Sequence, residues 1–88
     1  MERIQKIEES LSIIWEEREK KIHAQEPIGK RMIDEIGEDM YGDLLKEAFI
    51  TIDRDSVNFT AKGEGVARNV IRRQRLAERL LIDVLELG

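Results

Sequence analysis

The stretch Ile50-Thr51-Ile52-Asp53-Arg54-Asp55-Ser56-Val57-Asn58-Phe59-Thr60 is where the periodicity of the chain changes. Ile50 and Ile52 alternate with Thr51 and Asp53, while Val57 and Phe59 alternate with Ser56, Asn58 and Thr60. Period-two alternation of β-branched and aromatic residues around a polar turn predicts a two-stranded hairpin. A lone hairpin is not stable in water, so this one must pack on its neighbours.

Those neighbours read as helices. Upstream, Ile4, Ile7, Leu11 and Ile14 recur at spacings of three and four with Trp15 beside them, which predicts an amphipathic helix running to about Lys21 or Ile22. Pro27, the single proline, suits the first turn of a second helix with Ile28, Met32 and Ile36 on one face. Gly37 is placed to end it, and Asp39 to cap a third helix carrying Tyr41, Leu44, Leu45 and Ala48. Two short helices about a tight turn predict a helix-turn-helix. Downstream, Thr60 caps a last helix from about Ala61 to Leu87. Its second half is apolar on more than one face, so it is expected to meet a partner. The order predicts a mainly α domain with a small β-hairpin (α+β), arranged as a winged helix-turn-helix. It is one domain over 1–88, with helix-turn-helix and wing in 1–60 and a long linking or dimerisation helix in 61–88.

Composition narrows the function. The 88 residues include no cysteine and one histidine, so there is no disulfide framework, no thiolate metal site and no nucleophile–base–orienter set. An enzyme is not expected. No apolar run approaches the ~20 residues that cross a bilayer, and no signal-peptide core follows Met1, so the chain reads as cytoplasmic and without a membrane partner. The net charge is −4, but it is uneven. Lys62 to Arg79 holds six basic residues against Glu64 and Glu78, a local +4, whereas Pro27 to Ala48 holds three against six acids, a local −3.

Arg72-Arg73-Gln74-Arg75-Leu76-Ala77-Glu78-Arg79-Leu80-Leu81 resembles the segment after the wing in the DtxR and MntR family of iron- and manganese-dependent repressors. Asp53 to Thr60 with Gly63 is similar to that family's wing and the Thr-x-x-Gly that starts the following helix. Pro27-Ile28-Gly29-Lys30-Arg31-Met32 is similar to the start of its second helix, and Glu9 to Glu16, more weakly, to its first. The resemblance implies a dimeric, duplex-DNA-binding regulator answering to Fe2+ or Mn2+. Three departures accompany it. Gln74 stands where the family has a histidine ligand, and a neutral amide is a poor ligand for such metals. The helix-turn-helix is roughly two turns short. The family's dimerisation helices and their Cys/Glu/His ligand cluster would lie beyond Gly88.

The candidate DNA contacts are Lys30, Arg31, Tyr41, Lys46, Arg54 and Lys62. The resemblance implies a remnant metal site from Glu9, Gln74 and Glu78, and an anion pocket at Arg75. Both sets read equally well as solvated, ion-paired helix faces. His23, without a Cys or His companion, is expected near the negative end of the first helix. Trp15, Tyr41, Phe49 and Phe59 are too scattered to stack bases and are expected in the core. The dimer interface is expected at Leu76, Leu80, Leu81, Val84 and Leu87. Two functions follow: a winged-helix transcriptional regulator, or a protein–protein interaction module derived from one that has lost specific DNA binding and metal sensing. The second is kept open because Met40-Tyr41-Gly42-Asp43 offers none of the side chains that usually read base edges.

Overall fold

In a computed structural model, the backbone of residues 2–87 and the side chains of residues 2–77 are described. Four helices surround one hairpin: α1 (Arg3–Glu19), α2 (Gln25–Ile36), α3 (Tyr41–Lys46), β1 (Ile50–Asp53), β2 (Ser56–Phe59) and α4 (Ala61–Leu87). The protein is therefore mainly helical with a two-stranded antiparallel hairpin.

Helix α1 is the centre of the packing, with α2 against one part of its surface and α4 against another. Positions 10–14 are consequently buried without a break, Ser10 and Ser12 among them. Both hydroxyls are satisfied: Ser10 Oγ donates to the Ile7 carbonyl at 2.7 Å, and Ser12 Oγ to Gln74 Oε1 at 3.1 Å. The expected apolar stripe holds for Leu11 and Ile14 but not for Ile4, which is 69% exposed. The helix also ends earlier than its periodicity predicts. Lys21 takes a left-handed conformation (φ 63°), its N–H bonding to the Arg18 carbonyl and that of Ile22 to the Glu17 carbonyl. This is a Schellman cap built on lysine instead of glycine.

Helix α2 follows the sequence closely. Pro27 lies in its first turn, Ile28 and Met32 are buried, and Gly37 (φ 99°) closes it. Helix α3 departs from expectation. It is six residues long, and its inward residues are Met40 just before it and Leu44; Leu45 is 45% exposed. Asp39 Oδ1 accepts from the Tyr41 N–H at 3.3 Å, one residue outside the position foreseen for it. Ala48 is not on the helix: it adopts φ 59° and ends α3 with a second Schellman pair, Ala48 N–H to the Leu45 carbonyl and Phe49 N–H to that of Leu44. A side chain in this conformation costs roughly 1–2 kcal/mol, and glycine gives part of that back as unfolded-state entropy. Lys21→Gly and Ala48→Gly are each expected to raise stability by about 1 kcal/mol. An unchanged or lowered urea midpoint would show that the caps are not strained.

The hairpin registers Ile50 with Phe59 and Ile52 with Val57, placing all four on one face. Arg54 (φ 48°) and Asp55 (φ 69°) are both left-handed, the geometry of a two-residue type I′ turn made without glycine. The extended residues after α1 lie along β2. Ala24 bridges Ser56, the His23 carbonyl accepts from the Val57 N–H at 2.7 Å, and the Asp55 carbonyl from the Gln25 N–H at 3.0 Å.

The buried core is aliphatic: Leu11, Ile13, Ile14, Ile28, Met32, Met40, Leu44, Ile50, Val57 and Ala67. The four aromatics, expected inside it, are half-buried around its rim. Trp15 and Phe59 meet at 6.2 Å between ring centroids, and the Arg18 guanidinium lies 4.4 Å and 5.1 Å from them, a shared cation–π contact.

Candidate functional site

The expected DNA-facing surface comprises α2, the turn to α3, α3 itself and the hairpin tip. Its cations have different surroundings. Arg31 reaches from α2 to α1, where its guanidinium meets Glu16 and, at 2.9 Å, Glu17; its Nε pairs with Glu35 on its own helix. Burial pushes its pKa down, but the hydrogen bonds it donates to Glu16, Glu35 and Glu17 outweigh that and hold it above the usual arginine value. Glu17 is buried, at 6% exposure. Arg31 is therefore a tie between helices, with its donors already spent on carboxylates. To contact DNA it would have to leave these carboxylates.

Lys62 is also turned to structure. Its Nζ donates to the Glu47 carbonyl at 2.8 Å and sits 4.8 Å from the Phe49 ring centroid, closing the corner between α3 and β1. Lys30 is exposed and lies 3.9 Å from Glu26. Lys46 is exposed at the end of α3, and Arg54 is exposed at the hairpin tip. Further cations are drawn into the fold: Arg3 pairs with Asp43 at 3.2 Å and Lys6 with Glu38 at 3.1 Å, joining α1 to the α2–α3 region.

Tyr41 stands over α2. Its hydroxyl donates to the Gln25 carbonyl at 2.7 Å, and its ring lies where a side chain on Gly29 would begin. Burial, reinforced by the carboxylates of Asp39 and Asp55, pushes the phenol up to about 12. As the only tyrosine in the chain it is read directly by phenolate absorbance. The expected midpoint is about 12; a midpoint near the ordinary value of about 10 would place the ring in open solvent. Since the folded state holds this proton more tightly, the linked stability is full below the unfolded value and is lost as pH rises through the folded one.

Two of the implied metal residues, Glu9 and Gln74, sit along the α1–α4 groove, which Gln5, Glu8, Val70, Arg73 and Ala77 also line. Gln74 Oε1 already accepts from Ser12. Burial raises the pKa of Glu9, as does repulsion from Glu35 and Glu16, partly offset by Arg31. Glu8 is paired with Arg73. No group of three or more His, Cys, Asp or Glu suited to a metal ion occurs among the described residues. Among the described residues, one carboxylate and an amide already engaged by Ser12 are too few ligands to make up a site for Fe2+ or Mn2+ by themselves. The side chain of Glu78 lies outside the described residues.

Arg75, the candidate anion ligand, pairs instead with Glu19 at 3.0 Å, and Glu19 also accepts the Trp15 indole N–H at 2.6 Å. His23 acts through its backbone, on β2. Leu76, the first residue of the expected dimer interface, is 59% exposed; Leu80, Leu81, Val84 and Leu87 lie outside the described side chains.

Sequence reasoning read Thr60 as the cap of α4 but missed how it ties that helix to the end of α3 and the start of β1. Thr60 Oγ1 donates to the Ala48 carbonyl at 2.6 Å and accepts from the Gly63 N–H at 3.0 Å, while the Thr60 N–H bonds to the Phe49 carbonyl at 3.0 Å. Gly63 lies so close to Phe49 that a Cβ there would stand 1.7 Å from its carbonyl oxygen. The spacing Thr60-x-x-Gly63 was the available signal. Comparison with protein-family models, curated proteins and solved structures finds no match to the chain. No helix among the described residues is long and apolar enough to cross a membrane.

Proposed function

We propose that this chain is a winged-helix transcriptional regulator, similar in plan to the DtxR-type repressors, in which contact with DNA has moved from the third helix to the hairpin and the basic half of α4. The observation that carries this reading is the closure of the hairpin: β2 pairs with β1 on one side and with Ala24 on the other, and Thr60 and Gly63 lock it to α4. That arrangement holds Arg54 rigidly at an exposed tip, where a winged helix touches phosphate. The regulator acts in the cytoplasm as a homodimer through residues 76–87, without catalytic activity. Its metal response is weak or lost, because Gln74 is engaged by Ser12.

A second reading, the protein–protein interaction module, draws on a specific observation. Arg3, Arg31 and Lys62 are committed to internal partners, and α3 is only six residues long and opens on Tyr41-Gly42-Asp43, which offers none of the side chains that usually read base edges. Titration against promoter DNA at two salt concentrations separates the two. The regulator predicts micromolar, salt-sensitive binding that Arg54→Ala weakens and Asp43→Ala does not. No binding at low salt would leave the interaction module. Nanomolar binding that survives Arg54→Ala but collapses on substitution of Tyr41 would restore the third helix as the reader.

A further inference from the structure

Two exposed surfaces of opposite charge remain after the fold is accounted for, one of them on the same basic half of α4 that the proposed DNA contact uses. One is a groove of about 300 Å3 running between α2, α3 and the hairpin tip. Gly29, Ile33 and Tyr41 are among its lining residues, together with the carboxylates of Glu26, Asp39 and Asp55. Lys30 also lines it, but that ammonium is already beside Glu26. A phosphate would be repelled here. A guanidinium would find carboxylates beside an aromatic ring, and an apolar side chain would find Ile33, which is 54% exposed.

The other surface lies on α4, where Arg68, Asn69, Arg72 and Leu76 share one exposed face at helical spacing. Arg68 is 61% exposed and 3.9 Å from Glu64; Arg72 makes no ion pair among the described residues. Neither arginine pairs with a groove residue of its own chain. The face therefore offers two guanidinium groups followed by a leucine, the complement of the groove.

We propose that the protein associates head to tail, the Arg68–Arg72 face of α4 in one copy docking into the groove between α2, α3 and the hairpin of the next. Because the two patches differ, the contact does not close on a two-fold axis and one copy can add to another in series. Its two arginines precede the dimer contact proposed through residues 76–87; Leu76 alone is common to both, and the head-to-tail contact does not depend on the dimer. Exposed charges make it weak and salt-dependent.

Sedimentation of the wild-type chain at low salt is expected to show a mass that rises with concentration past the dimer and falls back as salt is added. Arg68→Glu/Arg72→Glu and Glu26→Lys/Asp55→Lys alter exposed side chains, and circular dichroism verifies that each double variant remains folded. Each alone is expected to weaken serial association by about tenfold or more. Mixed in equal amounts they are expected to recombine, since the acidic groove of the first meets the basic face of the second. Failure of the mixture to associate, or association that survives high salt and both reversals, would overturn the proposal. Association insensitive to both reversals but abolished by Leu80→Glu would leave the dimer standing and remove the head-to-tail contact.

Discussion

Gly63→Ala is expected to unfold the protein or remove most of its stability, while Gly65→Ala two residues later makes it more stable. Helix propensity alone favours both substitutions by roughly 1 kcal/mol. At Gly65 nothing lies within 4 Å of the new methyl, so the propensity gain stands. At Gly63 the methyl would sit 1.7 Å from the Phe49 oxygen and 2.6 Å from its carbonyl carbon. Neither is the end of a flexible side chain. Relief requires α4 to lift from the α3–β1 corner, breaking the bonds from Thr60 to Ala48 and Phe49. Overpacking costs about 1–3 kcal/mol where neighbours yield, and two lost hydrogen bonds add roughly 1 kcal/mol each. Together these approach the ~5 kcal/mol that a small domain holds in total. Thermal or urea unfolding of the pair decides it; equal midpoints would mean that α4 does not pack on Phe49 as described.

Arg31→Met carries the second large effect, an expected loss of about 2 kcal/mol. Breaking a buried ion pair typically costs 3–5 kcal/mol because a charge is stranded. Here only Glu17 is deeply placed, with 8% side-chain exposure, against 28% for Arg31, 39% for Glu35 and 42% for Glu16, so solvent screening lowers the figure. Lys20, 3.4 Å from Glu17, softens the loss but does not cross to α2. The pairing with Arg31 is the cause if Arg31→Met/Glu17→Leu regains most of the stability, since an apolar pair of similar volume strands nothing. Equal damage from single and double variants would assign the loss to packing of the arginine stem. Removing Arg31 should also raise the pKa of Glu9 further, because the positive charge of Arg31 holds it down against burial and the neighbouring carboxylates.

What the sequence could reveal was decided locally. The hairpin, the Gly37 cap, Pro27 in a first turn and Thr60 ahead of α4 each depend on a few neighbouring residues, and each was legible. The ends of α1 and α3 were not, because Lys21 and Ala48 take left-handed conformations for which their types give no signal. Ser10 and Ser12 are buried because α2 and α4 both cover α1, a tertiary fact. The candidate site was legible as charge and not as direction. Arg31 and Lys30 are adjacent and equally basic on paper; one turns to Glu16 and Glu17, fourteen or more residues away, and the other stays in solvent. Gln74 was noticed as a missing histidine, but only packing brings it to Ser12, 62 residues earlier.

The central position of α1 also bears on how the protein is made. Its second covering helix is translated well after the first, and the contacts that close it, Ser12 with Gln74 and Glu8 with Arg73, span 62 and 65 residues. While the chain is still on the ribosome, α1 has α2 but lacks α4, so the buried run from Ser10 to Ile14 stands open along one flank. Native closure has to wait until α4 has left the ribosome, and until then the nascent chain carries a sticky helix that a chaperone would recognise.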